Sequence, residues 1–92
     1  MSEIFDNISK SRFELHAEGG IVFADYRHSD NVIRILYVET PLSLRGKGFA
    51  GHLMHSIMRI AKNQQKKVLP LCSYAAAWVK RHPEFDELTA TQ

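Results

Sequence analysis

The sequence predicts a small mixed α/β domain with elements in the order β-β-β-α-β-α. Three observations predict it. Residues 12–18 alternate polar and apolar strictly, residues 32–39 are rich in β-branched and aromatic side chains, and from Ala50 the apolar period changes from two to about 3.6. The chain is 92 residues long, which suits one domain over 1–92 and leaves no room for a second.

Arg12-Phe13-Glu14-Leu15-His16-Ala17-Glu18 reads as a strand with one wet face. Gly19-Gly20 then supplies a tight turn, since either glycine takes positive φ without a Cβ clash. The chain returns through Ile21–Arg27 as a second, antiparallel strand. His28-Ser29-Asp30-Asn31 is a cluster of turn formers leading into Val32–Glu39, whose nearly continuous apolarity predicts a central strand. Thr40-Pro41 ends that strand because proline has no amide hydrogen for a ladder.

Ala50, Leu53, Met54, Ile57, Met58 and Ala61 share one face of an amphipathic helix of about four turns. Asn63-Gln64-Gln65-Lys66-Lys67 closes it, with cations near its negative dipole end. Val68–Leu71 forms a short strand, and the strand–helix–strand order places it parallel to the third strand as a βαβ crossover. Tyr74, Ala77, Trp78 and Arg81 share one face of a second helix that stops before Pro83, with Trp78 in the core. Residues 89–92 read as a loose end.

Composition excludes several classes of function. Hydrophobic residues are 45% and charged residues 24%, which rules out a disordered or collagen-like chain. A net charge of +2 is far from the basic footprint of a nucleic-acid binder. No apolar run approaches the ~18 residues that span a bilayer, and Met1–Asn7 lacks the basic start and apolar stretch of a signal peptide. With one cysteine, Cys72, no internal disulfide can form. These features predict a cytoplasmic protein with no nucleic-acid or membrane partner, a monomer or weak homodimer.

The most informative stretch is Leu44-Arg45-Gly46-Lys47-Gly48-Phe49-Ala50-Gly51, between the third strand and the first helix. Its glycines let a ligand approach the backbone, and the first helical turn leaves amide hydrogens unpaired at the positive end of the dipole. Arg45 and Lys47 add charge that suits a phosphate or diphosphate. A P-loop is excluded because Lys47 is followed by glycine rather than Ser or Thr. Gly46, Gly48 and Gly51 match the dinucleotide pattern G-x-G-x-x-G. The context does not match: the preceding strands are antiparallel, and Leu71-Cys72 stands where an acid is required.

A third pattern, Arg/Gln-x-x-Gly-x-Gly/Ala, is matched by Arg45, Gly48 and Ala50. Together with Tyr37–Pro41, Leu69–Tyr74 and Arg81–Phe85, it makes the sequence resemble the GNAT superfamily of acyl-CoA-dependent N-acetyltransferases, in its short stand-alone branch. The likeness runs from about Arg12 to Leu88. The resemblance implies a minimal GNAT-like mixed sheet and acetyl-CoA or coenzyme A as cofactor. It also implies that Arg45, Gly46, Lys47, Gly48, Phe49 and Ala50 hold the diphosphate, and that the strand edge at Val38 and Glu39 pairs with the pantetheine arm. An unidentified amine would accept the acetyl group. The branch commonly carries a histidine where Tyr37 stands.

The two candidate catalytic residues each have a plainer reading. Cys72 falls where open α/β sheets place ligands and could carry the acyl group as a covalent thioester; a free cysteine is also commonly a small buried hydrophobe. Glu39 could take a proton from an amine, or simply end a strand in water. Tyr74 reads as a packing residue with a wet tip that could hydrogen-bond a departing thiol. His52 and His55, three apart on the helix, lack a third ligand nearby, so no metal site is predicted. His82 and Arg81 complement the end of the second helix. The readings at this stage are an acetyl-CoA-dependent acyltransferase acting on an amine, a non-catalytic acyl-CoA-binding or regulatory module, and a protein-interaction domain.

Overall fold

The computed structural model describes residues 4–91; residues 1–3 and 92, which the readings of the two chain ends include, lie outside it. Among the described residues, five strands form one sheet in the order β1-β2-β3-β4-β5. They are β1 (Ile4–Asn7), β2 (Arg12–Ala17), β3 (Gly20–Ser29), β4 (Val32–Glu39) and β5 (Lys67–Pro70). Helix α1 (Phe49–Asn63) joins β4 to β5, and α2 (Ser73–Lys80) follows β5. The first three ladders are antiparallel and β4 pairs with β5 in parallel, which makes the mixed α/β fold predicted from the sequence.

Four details differ from the sequence reading, each for a physical reason. Strand β1 is additional: it pairs with β2 from Ile4↔Leu15 to Asn7↔Arg12. Its four residues include Asp6 and Asn7, poor strand formers, so its alternation is too short to read. It is fastened by the Tyr26 hydroxyl, which donates to Asp6 Oδ1 at 2.6 Å. Burial and this bond to Asp6 push the Tyr26 pKa up to about 12.

The second difference is at the β3–β4 turn, which needs only Asp30 and Asn31; His28 and Ser29 continue β3, and Asp30 takes the left-handed conformation at φ 55°. Third, β4 is flanked on both sides, yet only one of its faces is covered: Ile33 and Ile35 are buried while Arg34, Leu36 and Tyr37 are exposed. Fourth, the carboxyl end is not loose. Thr89 bridges Val68 in parallel and the Ala90 amide donates to Val68 O at 2.8 Å, covering the outer edge of β5.

The core fills the space between one face of the sheet and the helices. Phe13, Leu15, Val22, Ala24, Ile33 and Ile35 meet Leu53, Met54, Ile57, Met58 and Ala61 of α1. Each large side chain buried here contributes roughly 1.5–3 kcal/mol from apolar transfer. Trp78 closes the α2 end of the core, 3% exposed, with its ring stacked on His82 at 3.8 Å; Ala75 is buried with it, whereas Ala77 and Arg81, expected on the same face, are exposed. The other sheet face carries Glu14, which is buried among polar neighbours. Burial opposes its ionisation, but bonds from His16 (2.7 Å) and Asn7 (3.0 Å), with Arg12 alongside, prevail and hold its pKa below the usual value.

Candidate active site at the parting of β4 and β5

The site begins with an irregularity in β4. Tyr26 pairs with Ile35 and Asp25 with Tyr37, so Leu36 is an extra residue, a β-bulge that turns the end of the strand. The ladder with β5 stops at the same level: Ile35↔Pro70 is its last pair, followed by one bond from Leu71 N to Ile35 O at 2.9 Å. Beyond this point β4 continues to Glu39 with no strand paired to that edge among the described residues. Unpaired main-chain groups at Val38 and Glu39 therefore border a gap between two diverging strands.

The loop after β4 supplies the opposite wall. A 3-10 turn at Leu42–Leu44 ends with the Arg45 amide donating to Leu42 O at 3.3 Å, and Arg45 Nε donates to Thr40 O at 3.1 Å. The Arg45 amide is thus engaged inside the protein. Gly46 and Gly48 then take φ of 77° and 84°, torsions that cost an L side chain about 1–2 kcal/mol. A Cβ at either position would meet nothing within 4 Å, so torsion rather than crowding demands glycine here.

Gly48 is the N-cap of α1 and offers no side-chain hydrogen bond. The first bond of the helix runs from His52 N to Gly48 O at 3.0 Å, so the amides of Phe49, Ala50 and Gly51 precede the ladder. With open space over Gly46 and Gly48, this is a cradle of main-chain donors at a positive helix end. It fits the diphosphate of a nucleotide-bearing cofactor.

Together these parts enclose a cleft of about 480 Å³, lined by Tyr37 to Glu39 of β4 and Thr40 after it, by Leu44 to Gly46, by Gly48 to Gly51 and by Tyr74. Of the residues singled out from the sequence, Val38, Glu39, Arg45, Gly46, Gly48, Phe49 and Ala50 meet here. Lys47 is exposed and is not part of the lining. Cys72 is half-buried, packs against the core and caps α2, its Sγ accepting from the Ala75 amide at 3.4 Å; it too stands outside the lining.

Tyr37 and Glu39 form a pair, the phenol donating to Glu39 Oε1; this bond to the carboxylate raises the pKa of Tyr37. Tyr74 reaches the cleft from the first turn of α2. A Cβ on Gly51 would lie 3.9 Å from its hydroxyl, and burial raises its pKa, which keeps the proton on. Tyr74 packs against the core, as the sequence suggests, and its wet tip is what lines the cleft. Only the crossover through α1 brings it back to a loop more than twenty residues earlier, and no spacing rule signals that. His55, by contrast, sits edge-on to Phe85 at 5.3 Å.

A parted pair of parallel strands and a glycine-rich helix start thus face one cleft in a mixed α/β fold. The model of the GCN5-related N-acetyl-transferase family matches residues 12–88, and the chain belongs to that family. The solution structure of a GCN5-like protein from Staphylococcus aureus is similar to it, with a TM-score of 0.70 over 98% of this chain and 89% of that one. At 19% identity this likeness shows the fold. No curated protein matches the sequence. Among the described residues, no helix is long and apolar enough to cross a membrane.

Proposed function

We propose that the chain is an acetyl-CoA-dependent acyltransferase that moves an acetyl group to an amine. The observation that carries this is the convergence, in one cleft, of the unpaired β4 edge and the uncapped start of α1. In this reading the amides from Gly46 to Gly51 hold the diphosphate, with the side chains of Arg45 and Lys47 adding charge. Main-chain groups of Val38 and Glu39 pair with the pantetheine arm as an added strand would. The bound thioester supplies an activated acyl group.

The remaining chemistry belongs to side chains of the cleft. Glu39, held by Tyr37, removes a proton from the attacking amine, directly or through water. Tyr74, protonated at neutral pH, donates a hydrogen bond to the departing sulfur. The covalent route through Cys72 requires its Sγ to leave the Ala75 amide and enter the cleft, so direct transfer needs less rearrangement. We place the protein in the cytoplasm, as one acyl-CoA-binding domain over 1–92.

The test is thermal. Acetyl-CoA or CoA at 100 times its dissociation constant should add about 2.7 kcal/mol of stability, whereas NAD should add none. No response to either thioester or free CoA sinks the proposal. Intact mass after incubation with acetyl-CoA then separates the routes: no adduct on Cys72, with amine acetylation retained in Cys72→Ala, leaves direct transfer. Binding without turnover on a panel of amines would make the chain an acyl-CoA-binding module.

A further inference from the structure

The sheet has one face packed on helices and one face open, and the open face is ordered by charge. Cross-strand register puts Phe23 beside Glu39, Asp25 beside Tyr37 and Arg27 beside Arg34, all on the side opposite the buried Val22, Ala24, Ile33 and Ile35. The half of the face nearest the cleft is therefore acidic and aromatic. The half nearest the β3–β4 turn is basic, with Lys67 of β5 alongside Val32 beyond the two arginines.

Two features make this arrangement unfavourable for an isolated chain. Arg27 and Arg34 stand directly opposite each other and are both exposed, a like-charge pair that weakens a ladder. Phe5 (56%), Tyr37 (49%) and Ile21 (38%) also expose apolar surface on this side. Among the described residues of this face, acid and base are partly matched at the β2 side, where Arg12 Nε lies 3.5 Å from Asp25 and the guanidinium covers the Phe23 ring at 3.8 Å.

We propose that this open face is a self-association interface, on which two copies of the chain pack sheet to sheet. A two-fold axis lying across the strands near the level of Tyr26 and Ile35, between Asp25 and Arg27, turns the partner end for end. Each copy's Arg27 then faces the other's Asp25, and its Arg34 faces the other's Tyr37, so the face is its own complement. Aligned sheets pack about 10 Å apart, within reach of arginine and carboxylate side chains from opposing faces. A nucleic acid would meet the acidic half, and a purely acidic partner would meet it too; a second copy satisfies both halves. The face offers fewer side chains than the roughly 20–30 per partner of a standard interface, so the dimer is weak and salt-sensitive.

Sedimentation velocity of the full chain from about 1 µM to about 1 mM tests this directly, in the absence of CoA. The expected result is a monomer–dimer equilibrium that weakens with added salt. Arg27→Glu/Arg34→Glu should weaken it at least about tenfold, and Ile21→Glu should do the same, with circular dichroism confirming that each variant folds. Mixing Arg27→Glu/Arg34→Glu with Asp25→Lys should restore a mixed dimer. A chain that stays monomeric throughout, or a dimer indifferent to both variants, overturns the proposal. Neither result bears on whether CoA binds, which the thermal assay reads separately.

Discussion

The two helices begin in opposite ways. At the start of α2, Cys72 turns its sulfur back onto the Ala75 amide, 3.4 Å away, and so uses one of the donors that a first turn leaves over. At the start of α1, Gly48 has no side chain to turn back, and the amides of Phe49, Ala50 and Gly51 face the cleft. One end is closed for stability and the other is left open. The difference teaches where to look for a ligand: a helix that forgoes a cap beside open space keeps donors available for an anion from outside the chain.

The largest expected effect comes from disturbing the open end. Gly48→Ala forces an L side chain to φ 84° and should cost about 1–2 kcal/mol of stability, read by denaturant unfolding; relief of that strain would re-aim the amides and shrink the thermal response to CoA. An unchanged CoA response in this variant would break the contrast. Next is Gly51→Ala, in the first turn of the same helix. Its Cβ would meet Trp78 Nε1 at 3.5 Å and Tyr74 at 3.9 Å, both ordinary contacts, so helix propensity should raise stability by about 0.5–1 kcal/mol. CoA affinity should fall, because the new methyl group stands on the cleft lining.

The closed end should respond more mildly. Cys72→Ala removes a weak sulfur acceptor and should cost about 0.5 kcal/mol, the low end for a lost cap, with the CoA-induced rise in melting temperature kept. Cys72→Ser restores an acceptor and should recover that loss in the same unfolding assay. Smallest in stability, though not in chemistry, is Tyr74→Phe. It should bind CoA as the parent does while turnover falls by about 10–100-fold. Since burial raises the Tyr74 pKa above 10.0, the hydroxyl is lost as a donor only as pH rises past that value. An acidic or neutral limb of the pH–rate profile that vanished in Tyr74→Phe would contradict its role.

Much of this contrast was legible in the sequence. Gly46, Gly48 and Ala50 after Arg45 mark the open helix start because backbone torsion and an uncapped turn are local properties. The period change at Ala50 likewise marks α1, whose predicted face, Leu53 to Ala61, is the buried one. Contributions that depend on distant parts of the chain were not legible. The Leu36 bulge exists only in relation to β3, and nothing in Val32–Glu39 itself announces an extra residue. Cys72 and Tyr74 are two positions apart, yet the turn of α2 sends the phenol to the cleft lining and the thiol to its own helix. Spacing along the chain could not separate those destinations. Strand β1 escaped because four residues are too few to show a period, and its partner supplies the order it lacks.

The positive φ of Gly48 has a consequence for chemical synthesis. A chain of this length is accessible by ligation of peptides, and a D-alanine at 48 would favour the mirror-image torsion that an L-residue resists. Such a chain would enter the bend with fewer unfolded alternatives to give up. Handedness, the one property glycine lacks, would then be built into the anion cradle.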